Sequence, residues 1–211
     1  NGFYIYGWDG DKSKDIYHDN VVIEYVTEET PDEPEVPEIN AEIWTETFDG
    51  DLSAYTYRNA EIVNGELKAN TTSASDVELY LNTLEAKVSD APEGKIRLKY
   101  DVKVDNGNDA ALSKLKVNGG TEISLIKYWY GGIREERNND ASFGVYGYEW
   151  YTNDIVVDFT NNKITVNVTK RETGDAVVTD YVMDANLSGV TTINGFYIYG
   201  WDGDKSKDIY H

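Results

Sequence analysis

Between Lys95 and Val104 the chain reads KIRLKYDVKV, with apolar and polar side chains taking turns over ten positions. A period of two is that of a strand with one buried face and one wet face. Similar runs occupy Glu42–Phe48, Ala60–Lys68, Val77–Leu81, Leu112–Val117, Ile123–Tyr130, Ser142–Tyr151, Ile155–Phe159, Ile164–Val168, Val177–Met183 and Phe196–Trp201. Between them lie NG, DNGN, NGG and TNN, clusters that favour turns because Gly and Asn tolerate positive φ and Asn bonds its own backbone. Helix is readable only near Asn108–Ser113, where DAALSKL fits an irregular strand equally well. The pattern predicts an all-β fold, a two-sheet antiparallel β-sandwich.

A second pattern overlies the first. Residues 1–18, NGFYIYGWDGDKSKDIYH, recur unchanged as residues 194–211, a period of 193 residues. Solenoid repeats run to roughly 20–50 residues, so a period this long makes each unit a whole domain in a tandem array. An artificial permutation of one unit would leave the same overlap. After the first copy comes Asp19-Asn20-Val21-Val22-Ile23-Glu24-Tyr25-Val26, an apolar, β-branched run expected to be a closing strand. Residues 27–38, TEETPDEPEVPE, carry three of the four prolines and six acidic residues. Such a stretch reads as an extended, self-repelling linker. The expected organisation is therefore a tail of a preceding unit at 1–26, a linker at 27–38, and a repeat domain at 39–211 without its own last strand. The strand at 20–26 is expected to fill that gap, from within the chain or from a neighbouring unit, since an unpaired edge invites association.

Composition narrows the partners. The 211 residues include 39 acidic and 19 basic side chains, for a net charge of −20. A field of that sign repels nucleic acid and anionic lipid. No block of about 18 apolar residues argues for membrane insertion. The chain has no cysteine and two histidines, His18 and His211, at one repeat position. Disulfides, thiolate sites and histidine-based triads or zinc sites are thereby excluded within one unit. The same traits, with repeated domains and an acidic Pro-rich linker, point to a secreted or cell-surface bacterial protein.

Five tryptophans and seventeen tyrosines supply the candidate chemistry. They gather at Tyr128-Trp129-Tyr130, at Tyr146, Tyr148 and Trp150, and at Tyr197, Tyr199 and Trp201. The last two sets each fall at every second residue, which predicts rows of rings on one strand face. Such rows stack on the C–H faces of sugar rings while their polar tips reach sugar oxygens; a row turned inward would instead be core. Arg134 and Arg137, in the segment between the first two clusters, are expected in a loop or hairpin tip. They read either as a ligand rim suited to uronic-acid sugars or as a solvated loop with local ion pairs.

Several phrases together resemble the concanavalin A-like jelly-roll modules of bacterial polysaccharide-degrading enzymes and surface proteins. These are Trp44-Thr45-Glu46-Thr47-Phe48-Asp49-Gly50, Asn64-Gly65-Glu66-Leu67, Ile155-Val156-Val157-Asp158-Phe159-Thr160 with Lys163-Ile164-Thr165-Val166-Asn167-Val168, and Tyr17-His18-Asp19-Asn20-Val21. The resemblance implies a jelly roll with sugar bound on a concave sheet face, or a purely architectural part. It also implies a structural calcium tying the opening segment to the closing strand, with Glu46, Asp49 and Asp19 at matching positions. A separate calcium candidate comes from Asp202, Asp204 and Asp208 with Ser206, oxygen side chains at alternate positions. That loop lacks the glycine and glutamate of a full calcium loop and reads equally as an acidic turn.

Catalysis by paired carboxylates needs two of them about 5–9.5 Å apart across the scissile bond. The hydrolase branch of the same superfold carries a run resembling E-x-D-x-x-E, and this chain has none. Glu42 with Glu46, and Asp101 with Asp105, fit the ordinary wet face of a strand. The expectation is a noncatalytic module, repeated in tandem, that binds polysaccharide. The alternative is a structural repeat of an adhesin, stalk or strand-exchanged fibre, in contact with neighbouring units.

Overall fold

The computed structural model describes residues 2–5, 16–25, 42–51, 53, 56–58, 60–71, 76–80, 86–103, 110–137, 141–147, 149–199 and 209–210. In chain order its strands are β1 (Gly2–Ile5), β2 (Ile16–Tyr25), β3 (Glu42–Glu46), β4 (Thr56–Arg58), β5 (Ala60–Val63), β6 (Glu66–Thr71), β7 (Asp76–Tyr80), β8 (Ala86–Lys87) and β9 (Lys95–Lys103). There follow β10 (Ala110–Val117), β11 (Thr121–Trp129), β12 (Gly132–Glu135), β13 (Ser142–Val145), β14 (Trp150–Asp158), β15 (Lys163–Lys170), β16 (Ala176–Asp184), β17 (Thr192–Tyr199) and β18 (Ile209–Tyr210). Among the described residues there is no α-helix, and residues 110–115 of the segment DAALSKL belong to β10. The chain is all-β and its sheets are antiparallel.

One sheet runs β1-β7-β17-β10-β11-β12-β13, with β4 on β7 and β8 on β17; the other runs β16-β15-β14-β9-β2-β6-β18, with β3 on β2 and β5 on β6. The period-two pattern is fully expressed in β14, where Tyr151, Asn153, Ile155 and Val157 are buried and Trp150, Thr152, Asp154 and Val156 are not. One cluster joins the apolar faces of both sheets, with Leu98, Ile155 and Val157 from one and Leu115, Tyr128 and Phe196 from the other. The Tyr100 ring lies 5.1 Å from that of Phe196, and its hydroxyl donates to Ser113 Oγ at 2.9 Å.

Two of the expected strands divide. Ala60–Lys68 is a hairpin, β5 and β6, joined at Asn64-Gly65 with φ of 56° and 78°. Positive φ at both turn residues matches the right-handed twist of the strands it connects. Ser142–Tyr151 also breaks, because β13 ends at Val145 and β14 begins at Trp150. Between them the Gly147 N–H donates to the Tyr151 hydroxyl at 2.7 Å, a turn that no strand ladder accommodates.

The strand after the first repeat copy folds back within the chain. β2 pairs with β9 over Tyr17–Tyr25, with β3 at Val21–Glu24 and with β6 at Ile16–His18. Ile23 is completely buried there. A single guanidinium fastens the junction: Arg97 of β9 grips Asp154 of β14 with two bonds, at 2.8 and 2.5 Å, and lies 3.3 Å from Glu24 of β2. Bidentate pairs of this kind fix geometry as well as adding energy. The linker at 27–38 lies outside the described residues.

Candidate functional site

The face of β14 turned away from the core, together with its neighbours, holds a groove of about 560 Å³ lined by Val22, Lys99, Asp101, Thr152, Asp154, Asn167 and Thr169. Strand register explains the arrangement. Thr169, Thr152 and Asp101 lie opposite one another across β15, β14 and β9, and Asn167, Asp154, Lys99 and Val22 form the next row, continuing onto β2. Asp101 is only 7% exposed; its Oδ1 accepts from the Thr152 hydroxyl at 2.6 Å, and its Oδ2 lies 3.4 Å from Arg171 Nε. The Arg171 guanidinium in turn sits 4.9 Å from the centre of the Trp150 ring. Trp150 is two residues before Thr152 on the same strand face. Asp101 and Thr152 line the groove, and Arg171 and then Trp150 continue from Asp101 beyond its lining.

The aromatic clusters expected to bind ligand are divided by the fold. Tyr128 and Tyr146 are core, 1% and 7% exposed, and their rings meet edge-on at 5.2 Å. Tyr128 also lies 5.9 Å from the Tyr151 ring and donates its hydroxyl to Asn153 Oδ1 at 2.6 Å. Both rings are therefore core rather than part of an exposed row, and the Tyr128 hydroxyl is satisfied there by a buried acceptor. Burial pushes the Tyr128 hydroxyl pKa far up, and burial pushes that of Tyr151 up to about 12. Tyr146 and Trp150 do not share a strand face, because the break between β13 and β14 separates them.

Trp129 points away from Tyr128 and lies beneath two cations, Lys127 Nζ at 5.0 Å and the Arg134 guanidinium at 5.9 Å. Tyr130 and Gly131 are the tip of the β11–β12 hairpin, both with positive φ, and Tyr130 is 55% exposed. Arg134 is not in a loop but in β12, opposite Lys127, while Arg137 is in the following turn and exposed. Trp129 belongs to the sheet of β10 and Trp150 to that of β9, so the first two clusters do not form one site. Backbone pairing places Tyr197 opposite Lys114 and Tyr199 opposite Leu112. Their side chains, like that of Asp19, lie outside the described residues, as do Tyr148, Trp201, Asp202, Asp204 and Asp208 altogether.

Glu46 and Asp49 flank a tight turn at Phe48, whose φ is 56°. Glu46 Oε1 accepts from the Phe48 N–H at 2.7 Å and Asp49 Oδ2 accepts from Thr47 Oγ1 at 2.8 Å. Burial raises the Glu46 pKa, with Asp49 adding to the rise. Among the described residues no three acidic or histidine side chains gather to hold a metal. Among the described residues no helix is long and apolar enough to cross a membrane.

No family model, curated protein or solved structure matches the chain.

Apart from Val22, the groove residues were present in the sequence as polar positions of three alternating strands, where Asp101 reads as an ordinary wet-face carboxylate. The signal that could have raised it is pairing: Lys99 and Asp101 in one run, and Thr152 and Asp154 in another, are matched sets at the same spacing. Placing them side by side requires the order of strands, which alternation alone does not contain.

Proposed function

We propose that this chain is a noncatalytic carbohydrate-binding jelly-roll β-sandwich, repeated in tandem on an extracellular bacterial protein, and that its sugar site is the groove across β15, β14, β9 and β2. The observation that carries the reading is a polar groove from which Asp101 leads through Arg171 to the Trp150 ring. Sugar hydroxyls both donate and accept. Carboxylates at Asp101 and Asp154, the Lys99 ammonium, threonine hydroxyls and the Asn167 amide offer the complementary set. An indole beyond the lining of such a groove supplies the flat apolar surface on which a pyranose ring stacks. The volume lies within the range of small-ligand sites. Tandem copies raise avidity on a polymer even when each site is weak.

Electrophoresis of the chain through gels cast with plant and microbial polysaccharides tests this, each gel run with calcium and with chelator. Retardation on one polymer, lost in Asp101→Ala and Thr152→Ala chains that melt normally, is the expected result. Unretarded migration on every gel would remove the sugar reading. Calcium enters the proposal through the resemblance alone, and loss of retardation under chelator is the result that would support it.

A second reading, a structural unit of a stalk or adhesin, is favoured by one observation. The segment preceding the linker is built into the middle of a sheet, between β9 and β3.

A further inference from the structure

Two copies of one sequence meet at one strand. β1 pairs with β7 so that Gly2, Phe3, Tyr4 and Ile5 face Tyr80, Leu79, Glu78 and Val77. β17 carries the same residues and pairs with β7 in the same register, Gly195 facing Tyr80 and Ile198 facing Val77. Its ladder on β7 skips Leu79 and Glu78, the two residues that Phe3 and Tyr4 take. β4 also pairs with β7, through Thr56, Tyr57 and Arg58 opposite Glu78, Val77 and Asp76. Three strands therefore address a strand with two edges. β1 lies against β17 and β10 as well as β7, so it shares the edge of β17 rather than that of β4. Each edge has a single set of N–H and C=O groups to pair, and two ladders cannot use it at once.

The other sheet also takes both copies on one strand, β6, at positions two residues apart. Ile16 and Tyr17 of the first copy face Ala69 and Lys68 of β6, and Ile209 and Tyr210 of the second face Thr71 and Asn70 of that strand. Side-chain chemistry cannot rank the copies, because they are identical over 18 residues. The 211 residues thus contain two Gly-Phe-Tyr-Ile strands and one place, between β7 and β10, to put one.

We propose that this place is a strand-accepting site that takes the Gly-Phe-Tyr-Ile segment of either copy, so that the surplus copy on one chain is a ligand for the same site on a second chain. Main-chain pairing supplies the affinity, as in other edge-strand additions, and identical register supplies the specificity. The proposal is independent of the groove, whose lining residues do not belong to β1, β7, β10 or β17.

Proline blocks the ladder by removing a donor and fixing φ. Three full-length variants test the site: Tyr4→Pro, Tyr197→Pro and the two combined. Each single variant is expected to melt close to the parent, because the remaining copy fills the site. The double variant is expected to lose that cooperative transition. Mixed with excess unmodified chain, which carries one strand more than it has sites, the double variant should regain the transition and appear with it as a one-to-one complex by native mass spectrometry. If Tyr197→Pro melts as poorly as the double variant, the copies are not interchangeable and the proposal fails. If both single variants melt normally but no complex forms on mixing, filling is confined to one chain and the second-copy partner is overturned.

Discussion

Tyr128 and Trp129 are neighbours on β11, and Trp150 and Tyr151 are neighbours on β14, yet in both pairs the tyrosine is core and the tryptophan is not. The tyrosines form an interior group whose hydroxyls end on protein: Tyr128 on Asn153, and Tyr151 on Glu149 Oε1 at 3.0 Å while accepting from Gly147. The tryptophans are covered by cations instead, Trp129 by Lys127 and Arg134, Trp150 by Arg171. Adjacent aromatics in a strand are thus separated by the pleat into two energetic classes. One is held by packing and a buried hydrogen bond, the other by contacts that leave the ring reachable from solvent. Aromatic richness alone does not distinguish a binding surface from a core; the partner of each polar tip does.

The largest effect is expected from emptying the interior group. Tyr128→Ala removes a fully buried ring from contact with Tyr146 and Tyr151 and should cost about 3–5 kcal/mol in urea denaturation. Tyr128→Phe keeps the ring but strips Asn153 Oδ1 of its donor at a completely buried position. A cost of about 1–3 kcal/mol, the price of an unpaired buried acceptor, is expected by the same measurement. No change in Tyr128→Phe would mean that Asn153 finds another partner and that packing alone orients the ring.

Alkaline pH should loosen the same group. A tyrosine whose folded pKa lies above its unfolded value of about 10 binds its proton more tightly when folded. The native state therefore holds more protons through that window, and stability falls as pH rises. For Tyr151 the contribution is complete below about pH 10 and is lost as pH climbs toward about 12. Tyr100 and Tyr128, raised by burial, act in the same direction. Spectrophotometric titration should show these hydroxyls ionising only together with loss of the fold. Reversible ionisation of all seventeen tyrosines in a folded chain would contradict their burial.

The smallest effect on stability, and the sharpest on function, is expected at the tryptophans. Trp150→Ala should change stability by no more than about 1 kcal/mol, the scale of an exposed cation–ring contact, while abolishing the retention expected of the parent on polysaccharide gels. Trp129→Ala, on the other sheet, should be equally mild and leave retention intact. Loss of retention in Trp129→Ala with Trp150→Ala unaffected would move the site to the β11–β12 hairpin.

Much of the fold was legible because alternation survives folding unchanged. KIRLKYDVK is β9, and the polar and apolar positions of β14 divide as the pleat requires. The Asn64-Gly65 turn carries its own chemistry, although the run around it reads as one strand. What failed was the assumption that alternation continues wherever aromatics do. The row from Tyr146 to Trp150 was broken by a backbone N–H turned toward the Tyr151 hydroxyl, a contact between residues whose meeting depends on tertiary packing. Asp101 stayed hidden for a related reason. Its burial comes from its position at the middle of a sheet, with β14 on one side and β2 on the other, and strand order is not written in any single strand.

The position of β2 has a mechanical meaning. Tension that reaches β2 along the chain acts on a strand with β9 on one edge and β3 and β6 on the other. Ladder hydrogen bonds run across the strand, so a pull along its axis loads them side by side and they must yield in concert. An edge hairpin would instead peel open one pair at a time. Arg97, gripping β14 and reaching Glu24, adds a cross-tie at right angles to the pull. If such units are strung in tandem, as proposed, β2 is the strand that its sheet resists releasing under flow or drag.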